Sequence, residues 1–416
     1  MLFIKNSGDR MNNVRRWCKA GLSVVSFAIG ILHCPNLYSF DFNRVDISIM
    51  DFFKSLSFNY KGFDIKVNGI TISETFDDNV TFDNDNNKMQ DFITDVGGGV
   101  SIKYEGKAKT LELAGNVSSQ TFAENKDFNN ITQNVTLQFK NEFSEYDRMS
   151  LKNVFTHTDA PLFYRDDFFD EQFERTGGRF DSFKNRFTVN YSRDMTRHIT
   201  LIARYANDMD MFSGIDIPDS FLNKAGAEAN YLLSSSTVLF FSYDVAHRQF
   251  INGNDALINT ITPGIRQYFT KKIYFDGKTG LDLIDSFDGE NLIKPNIQSS
   301  LTYEIDENTR AKLLFVKRYE TNSYTEDLFN QWRASLLFSR QLLERLGCSL
   351  SLFYGDGEFI SSDLSRKLMG ASPVFTYDIN KNLKGNLTYT YSQLDSEIKT
   401  SEYTKNTVFL GFVAEF

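Results

Sequence analysis

The sequence predicts an all-β fold: a single transmembrane up-and-down antiparallel β-barrel of about 18 strands, or about 16 with one hairpin fewer, with a short helical segment ahead of it. Three observations predict it. Segments of about ten to fifteen residues alternate apolar and polar side chains, the period of a tilted strand with one dry face and one wet face. The connections between these segments run long and short in turn. The last stretch, NTVFLGFVAEF, is one more such strand, with Val408, Leu410, Phe412, Ala414 and Phe416 on one side and Thr407, Phe409, Gly411, Val413 and Glu415 on the other.

Composition agrees. Of 416 residues 15% are aromatic, with 40 Phe and 19 Tyr against 6 Pro, yet the mean hydropathy is −0.35. Many β-favouring aromatics within a hydrophilic whole fit strands with two unlike faces. A formal charge of −9, with no cluster of Lys and Arg, excludes nucleic acid as a partner. Beyond Gly62 no apolar run approaches the roughly eighteen residues that a membrane-spanning helix needs. A soluble sandwich would show no asymmetry of loop length, and a propeller would repeat at the length of a blade.

In order, the chain reads as a signal peptide over 1–39, a periplasmic segment or plug helix over 40–61, and the barrel over 62–416. Arg15, Arg16 and Lys19 precede the apolar run AGLSVVSFAIGIL at 20–32, which has the length of a secretory leader. Removing it takes away Cys18 and Cys34 and leaves Cys348 without an internal disulfide partner. Ile49, Phe52, Phe53 and Leu56 have the spacing of one helical face, with Asp46 or Ser48 as N-cap; a loosely packed linker is the alternative.

The first barrel strand changes parity. Ile65 and Val67 share a side that Ile70 and Ile72 do not, and Gly69 is where a β-bulge would make the switch. Later strands alternate cleanly at 134–140, 186–192, 297–305 and 384–392, whereas 272–287 is blurred. Polar loops at 77–90, 124–130, 159–182 and 208–219 are followed by tight turns near 106, 144–147, 194–197 and 234–236. An even strand number puts both barrel ends on the short-turn side, the periplasmic side of a bacterial barrel.

The motifs ITISETFDDN at 70–79 and FITDVGGGVSIKYEG at 92–106 carry a resemblance. With Ser73, Glu74, Thr75, Phe76, Asp77, Asp78 and Asn79 closing one strand, and Tyr104 and Gly106 closing the next, the sequence resembles the β-barrel porin family that accompanies exopolysaccharide loci of the exosortase/PEP-CTERM type in Gram-negative bacteria. The likeness continues through 110–162, with Asn129, Asn130 and the run Asp159-Ala160-Pro161-Leu162. It implies an outer-membrane barrel with a part in polymer export, and it brings no catalytic residues. The terminal strand also resembles the signal read by barrel-assembly machinery, carried by Val408, Leu410, Phe412 and Phe416.

Candidate chemistry is sparse. Asp77, Asp78, Asp83, Asn84, Asp85, Asn86 and Asn87 offer hard oxygens, but they lack the Gly and terminal Glu of a calcium loop and read as a solvated turn. The longest loop holds Arg165, Asp166, Asp167, Asp170, Glu171, Glu174, Arg175 and Arg179 among aromatics, suiting either an inward constriction with a transverse field or an outward cap. Lys66, Lys103, Lys140, Arg186, Arg204, Arg333 and Lys384 fall on the expected lumen side, offset by Asp64, Glu112, Asp244, Glu304 and Asp378. His157, His198 and His247 lie on different strands or turns, and no catalytic, metal or cofactor residue is assigned. The expectation is a channel in a Gram-negative outer membrane that assists export of an extracellular polysaccharide, or else a general diffusion porin or a structural or adhesive barrel, with membrane lipid, the assembly machinery, and a polysaccharide or small solutes as partners.

Overall fold

The computed structural model describes residues 57–60, 62–159, 173, 175 and 178–415. They belong to one compact unit within Leu56–Phe416. The expected leader and the helical spacing at 49–56 lie outside them. Phe58–Tyr60, at the end of the 40–61 segment and past the helical spacing, is a short strand (β1).

The wall follows as β2 (Phe63–Asp77), β3 (Asp91–Glu105), β4 (Lys109–Phe122), β5 (Asn130–Glu142), β6 (Asp147–Thr158), β7 (Asp181–Asp194), β8 (Ile199–Ser213), β9 (Ser220–Ser234) and β10 (Thr237–Phe250). It continues as β11 (Asp255–Tyr268), β12 (Ile273–Asp285), β13 (Asn291–Asp306), β14 (Thr309–Thr321), β15 (Leu328–Leu343), β16 (Leu346–Phe359), β17 (Leu364–Asn380), β18 (Leu383–Ser396) and β19 (Tyr403–Ala414). Each strand pairs antiparallel with the next, and β19 returns to β2 from Thr407↔Asp77 to Ala414↔Ile70. The result is a closed barrel of eighteen strands, β2 to β19. Closure leaves no sheet edge along the wall except at the mouth, where β13 and β14 part, and this suits a wall with lipid outside.

The tight turns at one end are 106–108, 143–146, 195–198, 235–236, 269–272, 307–308, 344–345 and 381–382. The other end carries 78–90, 123–129, 159–180 and 214–219, then connections that shrink toward 251–254 and 360–363. The long-and-short rhythm is thus strongest in the first half of the chain.

The outward face is apolar. Val96, Val100, Leu281, Leu313, Val408 and Leu410 are each at least 40% exposed. Aromatics mark its two ends: Phe76 with Phe92 (5.1 Å between rings) and Trp332 with Tyr354 (5.5 Å) toward the long loops, and Phe63 with Tyr104 (5.2 Å) toward the short turns. From Phe92 to Tyr104 along a strand tilted as barrel strands are, the height is about 30 Å, close to the hydrocarbon thickness of a bilayer.

Two local irregularities follow from sequence. Gly69 has φ +110°, the register slips between Val67 and Gly69, and a Cβ there would strike the Ala414 carbonyl oxygen. Below the slip Lys66 shares a side with Ser101, and above it Ser73 shares one with Asp95, so the parity change is the bulge. Each proline within a strand stands where a ladder lapses. The β11–β12 pairing skips Thr262 and Pro263, the β17–β18 pairing skips Ser372 and Pro373, and the β13–β14 pairing stops at Ile297↔Lys317, short of Pro295. A residue with no amide hydrogen cannot serve a central ladder.

Above Lys317 the ends of β14 and β15 lean inward. Tyr319 has the parity of the outer face, yet it is 8% exposed and packs with Phe250, Ile258, Ile284 and Leu328. The blur at 272–287 has a related cause: Asp282 in β12 is fully buried, accepting from Thr260 (2.6 Å) and Asn296 (3.1 Å), so a charged residue fills an interior position.

Candidate functional site

The inner face differs from wall to wall. Along β2 to β6 it is built from small hydroxyl and amide residues: Ser73 and Thr75, Ser118 and Gln120, Thr132 and Asn134, Thr156 and Thr158. They bond to one another, Asn134 Nδ2 donating to Thr156 (3.0 Å), Thr132 sharing a hydroxyl contact with Thr158 (3.0 Å), and Ser118 donating to Asp95 (3.1 Å). Gly99 is pressed by the Asn116 side chain on its inner side, so a Cβ there would displace that amide. These residues bound a cavity of about 410 Å³ that reaches Arg179 of the long loop and Phe409 of β19.

From β10 round to β19 the upper lumen is filled instead. Phe82, Phe173, Phe329, Phe353, Phe359, Leu368, Leu394 and Tyr403 form one buried cluster. Three connections supply it or brace it. The 78–90 loop sends Phe82 under Lys405, whose ammonium lies 3.8 Å from the ring centroid. Lys405 Nζ also donates to Asp77 (2.7 Å) and to the Asn79 carbonyl (2.6 Å), with the Lys405 and Asp77 side chains 1% and 0% exposed. Asp78 accepts from both the backbone and the side chain of Asn406 (2.7 Å each). At the loop's exposed side Lys88 holds the Asp85 carboxyl below the usual range.

The described residues of the 159–180 loop point inward. Phe173 meets Phe329 edge-on (5.0 Å between centroids) and lies near Phe353 (6.1 Å), on the opposite wall. The Arg175 guanidinium donates to the Gly178 carbonyl (2.7 Å) and covers Phe180 (4.0 Å). Arg179 pairs with Asp159 (2.9 Å) over the Phe122 ring, and burial pulls its pKa below the usual guanidinium value. The 322–327 connection crosses from the far side: Lys184 of β7 donates to the Tyr324 hydroxyl (2.8 Å), and Arg248 of β10 donates to Thr321 (2.9 Å).

Among the residues singled out by sequence, Arg175 and Arg179 are brought together by this inward fold. Arg165, Asp166, Asp167, Asp170, Glu171 and Glu174 lie outside the described residues. By register Lys66, Lys103, Lys140, Arg186, Arg204, Arg333 and Lys384 all share the face of the buried hydroxyls. Several sit beside acids other than the ones offset against them in sequence: Lys103 with Glu105 (2.8 Å), Arg186 with Asp208 (3.1 Å) and Lys384 with Glu415 (3.0 Å). Arg204 reaches both Asp244 (3.3 Å) and Glu228 (3.2 Å). Of the terminal strand, Val408 and Leu410 face outward, Phe412 is half-buried, and Phe416 lies outside the described residues.

The Asp/Asn cluster is spent on structure, with Asp77, Asp78 and Asp85 bonded to Lys405, Asn406 and Lys88; no group of metal-holding side chains stands among the described residues. The histidines lie apart: His157 pairs with Asp181 (2.7 Å) and stacks on Phe183, His198 sits in a short turn, and His247 pairs with Asp255 (2.8 Å). Sequence reasoning missed Lys405, Arg248, Arg366, Tyr324 and the Phe cluster. The parity of Lys405 with Thr407 places it on the inner face, but its partner Asp77 reads as part of a loop.

Residues 295–416 match the family described as "Putative beta-barrel porin 2". The match falls on the last strands, not on the 70–162 stretch that carries the resemblance in sequence. No curated protein matches the chain. Among solved structures the chain is similar to OpdK of Pseudomonas aeruginosa, crystallised with vanillate, at 11% identity over 85% of this chain and 99% of that one, with a TM-score of 0.50. It is also similar to OccAB3 of Acinetobacter baumannii (8% identity, 85% and 99% covered, TM-score 0.45) and to a mutant of the ferric enterobactin receptor PfeA of Pseudomonas aeruginosa (8%, 84% and 80%, 0.44). At such identities the likeness is one of fold.

Proposed function

We propose that the chain is a channel of the Gram-negative outer membrane, a transporter and not an enzyme, that carries hydroxyl-rich solutes and assists export of an extracellular polysaccharide. The observation that carries this reading is the hydroxyl and amide wall of β2 to β6 around its cavity of about 410 Å³, inside an apolar outer surface. Neutral donors and acceptors in rows exchange hydrogen bonds with a sugar at small desolvation cost. The inner bases at Lys66, Lys103, Lys140, Arg186, Arg204, Arg333 and Lys384 keep the remaining lumen wet. The loop stretch from Arg165 to Arg179 is assigned as the constriction, and the packing of its Phe173 against Phe329 and Phe353 favours a selective passage over a general diffusion pore. Outer-membrane lipid is the partner of the outward face, and the terminal strand serves assembly.

Liposome swelling with sugars of graded size tests it. Uptake of mono- and disaccharides, together with loss of surface polymer on deletion of the gene, is expected. Recovery of the intact protein in the soluble periplasmic fraction, without heat-modifiable gel mobility, would sink the reading.

A further inference from the structure

A second, smaller cavity of about 70 Å³ lies in the mouth, between the inward loops and the β17–β19 wall. Arg366, Arg175, Tyr403, Asp83, Thr400 and Ser401 are among its lining residues. Arg366 is 5% exposed; its Nη1 donates to the Arg175 carbonyl (2.7 Å) and its guanidinium lies over Phe359 (4.8 Å). Its Nε has no hydrogen-bond partner, and the hydroxyl of Tyr403, 6% exposed, has none either. No carboxylate stands within ion-pair distance of Arg366 among the described residues.

Two orphan donors on one cavity are costly. A buried hydrogen-bonding group left unmade is destabilising, and a buried cation without a counter-charge is more so. Water can satisfy the hydrogen bonds but not the charge. We propose that this cavity binds an oxyanion, a carboxylate or phosphate group, with Arg366 and Tyr403 as its donors and the hydroxyls of Thr400 and Ser401 beside them. The space holds only the anionic group itself, so the remainder of the solute stays in the mouth. Asp83 opposes a second negative charge but accepts from a hydroxyl, which favours an acidic sugar over free phosphate as the source. The proposal deepens the reading of a sugar channel, yet binding is measurable whether or not the barrel conducts.

The test is calorimetric titration of the full chain in detergent micelles with sodium galacturonate, inorganic phosphate and galactose. Galacturonate is expected to bind and galactose not to. Arg366→Gln should weaken binding by about tenfold or more, the loss of a charge-assisted hydrogen bond, and Tyr403→Phe by about two- to tenfold, the loss of a neutral one. Binding of phosphate alone keeps the site and changes the source to free phosphate; binding of both makes it a general oxyanion site. Heat-modifiable mobility checks that each variant is folded, and Tyr403→Phe decides the matter if Arg366→Gln is not. Equal binding of galactose, no binding of either anion, or affinity unchanged in the folded variants overturns the proposal.

Discussion

The two walls of the lumen are made of the same alternating strands, yet they end in opposite states. Along β2 to β6 the inward positions that bound the cavity are mostly Ser, Thr, Asn, Gln and Gly, and space remains in front of them. From β10 to β19 they include Phe250, Phe329, Phe353, Phe359 and Leu368, and the loops pack onto them. The contrast teaches that the barrel does not set its own bore; residue volume at the inward positions does. Small residues on one arc hold the path open, and large ones on the other hold the loops down.

That contrast can be broken at its firmest points. Lys405→Met leaves Asp77 buried without its partner and should destabilise the barrel by about 4 kcal/mol, measured by denaturant unfolding in detergent. The double variant with Asp77→Asn should recover most of the loss; if it does not, the pair is not the latch of the 78–90 loop. Phe329→Ala removes the ring between Phe173 and Phe359 and should cost about 3 kcal/mol, with faster sugar uptake because the 159–180 loop loses its anchor. Unchanged uptake would separate loop packing from passage.

Filling the open arc sharpens the comparison. Thr132→Trp should cut disaccharide swelling rates severalfold while gel mobility stays heat-modifiable; an unaltered rate would place the path elsewhere. At the small end, Lys384→Ala breaks an exposed pair with Glu415 and should leave the unfolding midpoint where it is, since solvent and salt screen such a contact.

The wall was legible because one strand needs only its own neighbours to declare a face. Strand number, the rhythm of the connections and the Gly69 slip all follow from local alternation. What was hidden depends on side chains meeting across the lumen. Asp77 and Lys405 stand more than three hundred positions apart in sequence, and nothing near either residue names the other. Phe173 reads as one aromatic among several in a long loop, and only the approach of Phe329 and Phe353 gives it a place. Tyr319 has the outward parity of its strand, and parity fails where β14 leaves the wall.

That departure has a cost which the sequence has already met. A strand abandoned by its neighbour exposes a row of amide hydrogens, each ready to pair with whatever comes next. Above Ile297, β13 has no β14 partner, and Pro295 stands within that stretch with no hydrogen to offer. The margin is hemmed where the cloth is cut: the β14–β15 tip can lean over the mouth because the strand it leaves behind offers a foreign chain a broken row, and the parting stays a feature of the mouth instead of a place for molecules to stick together.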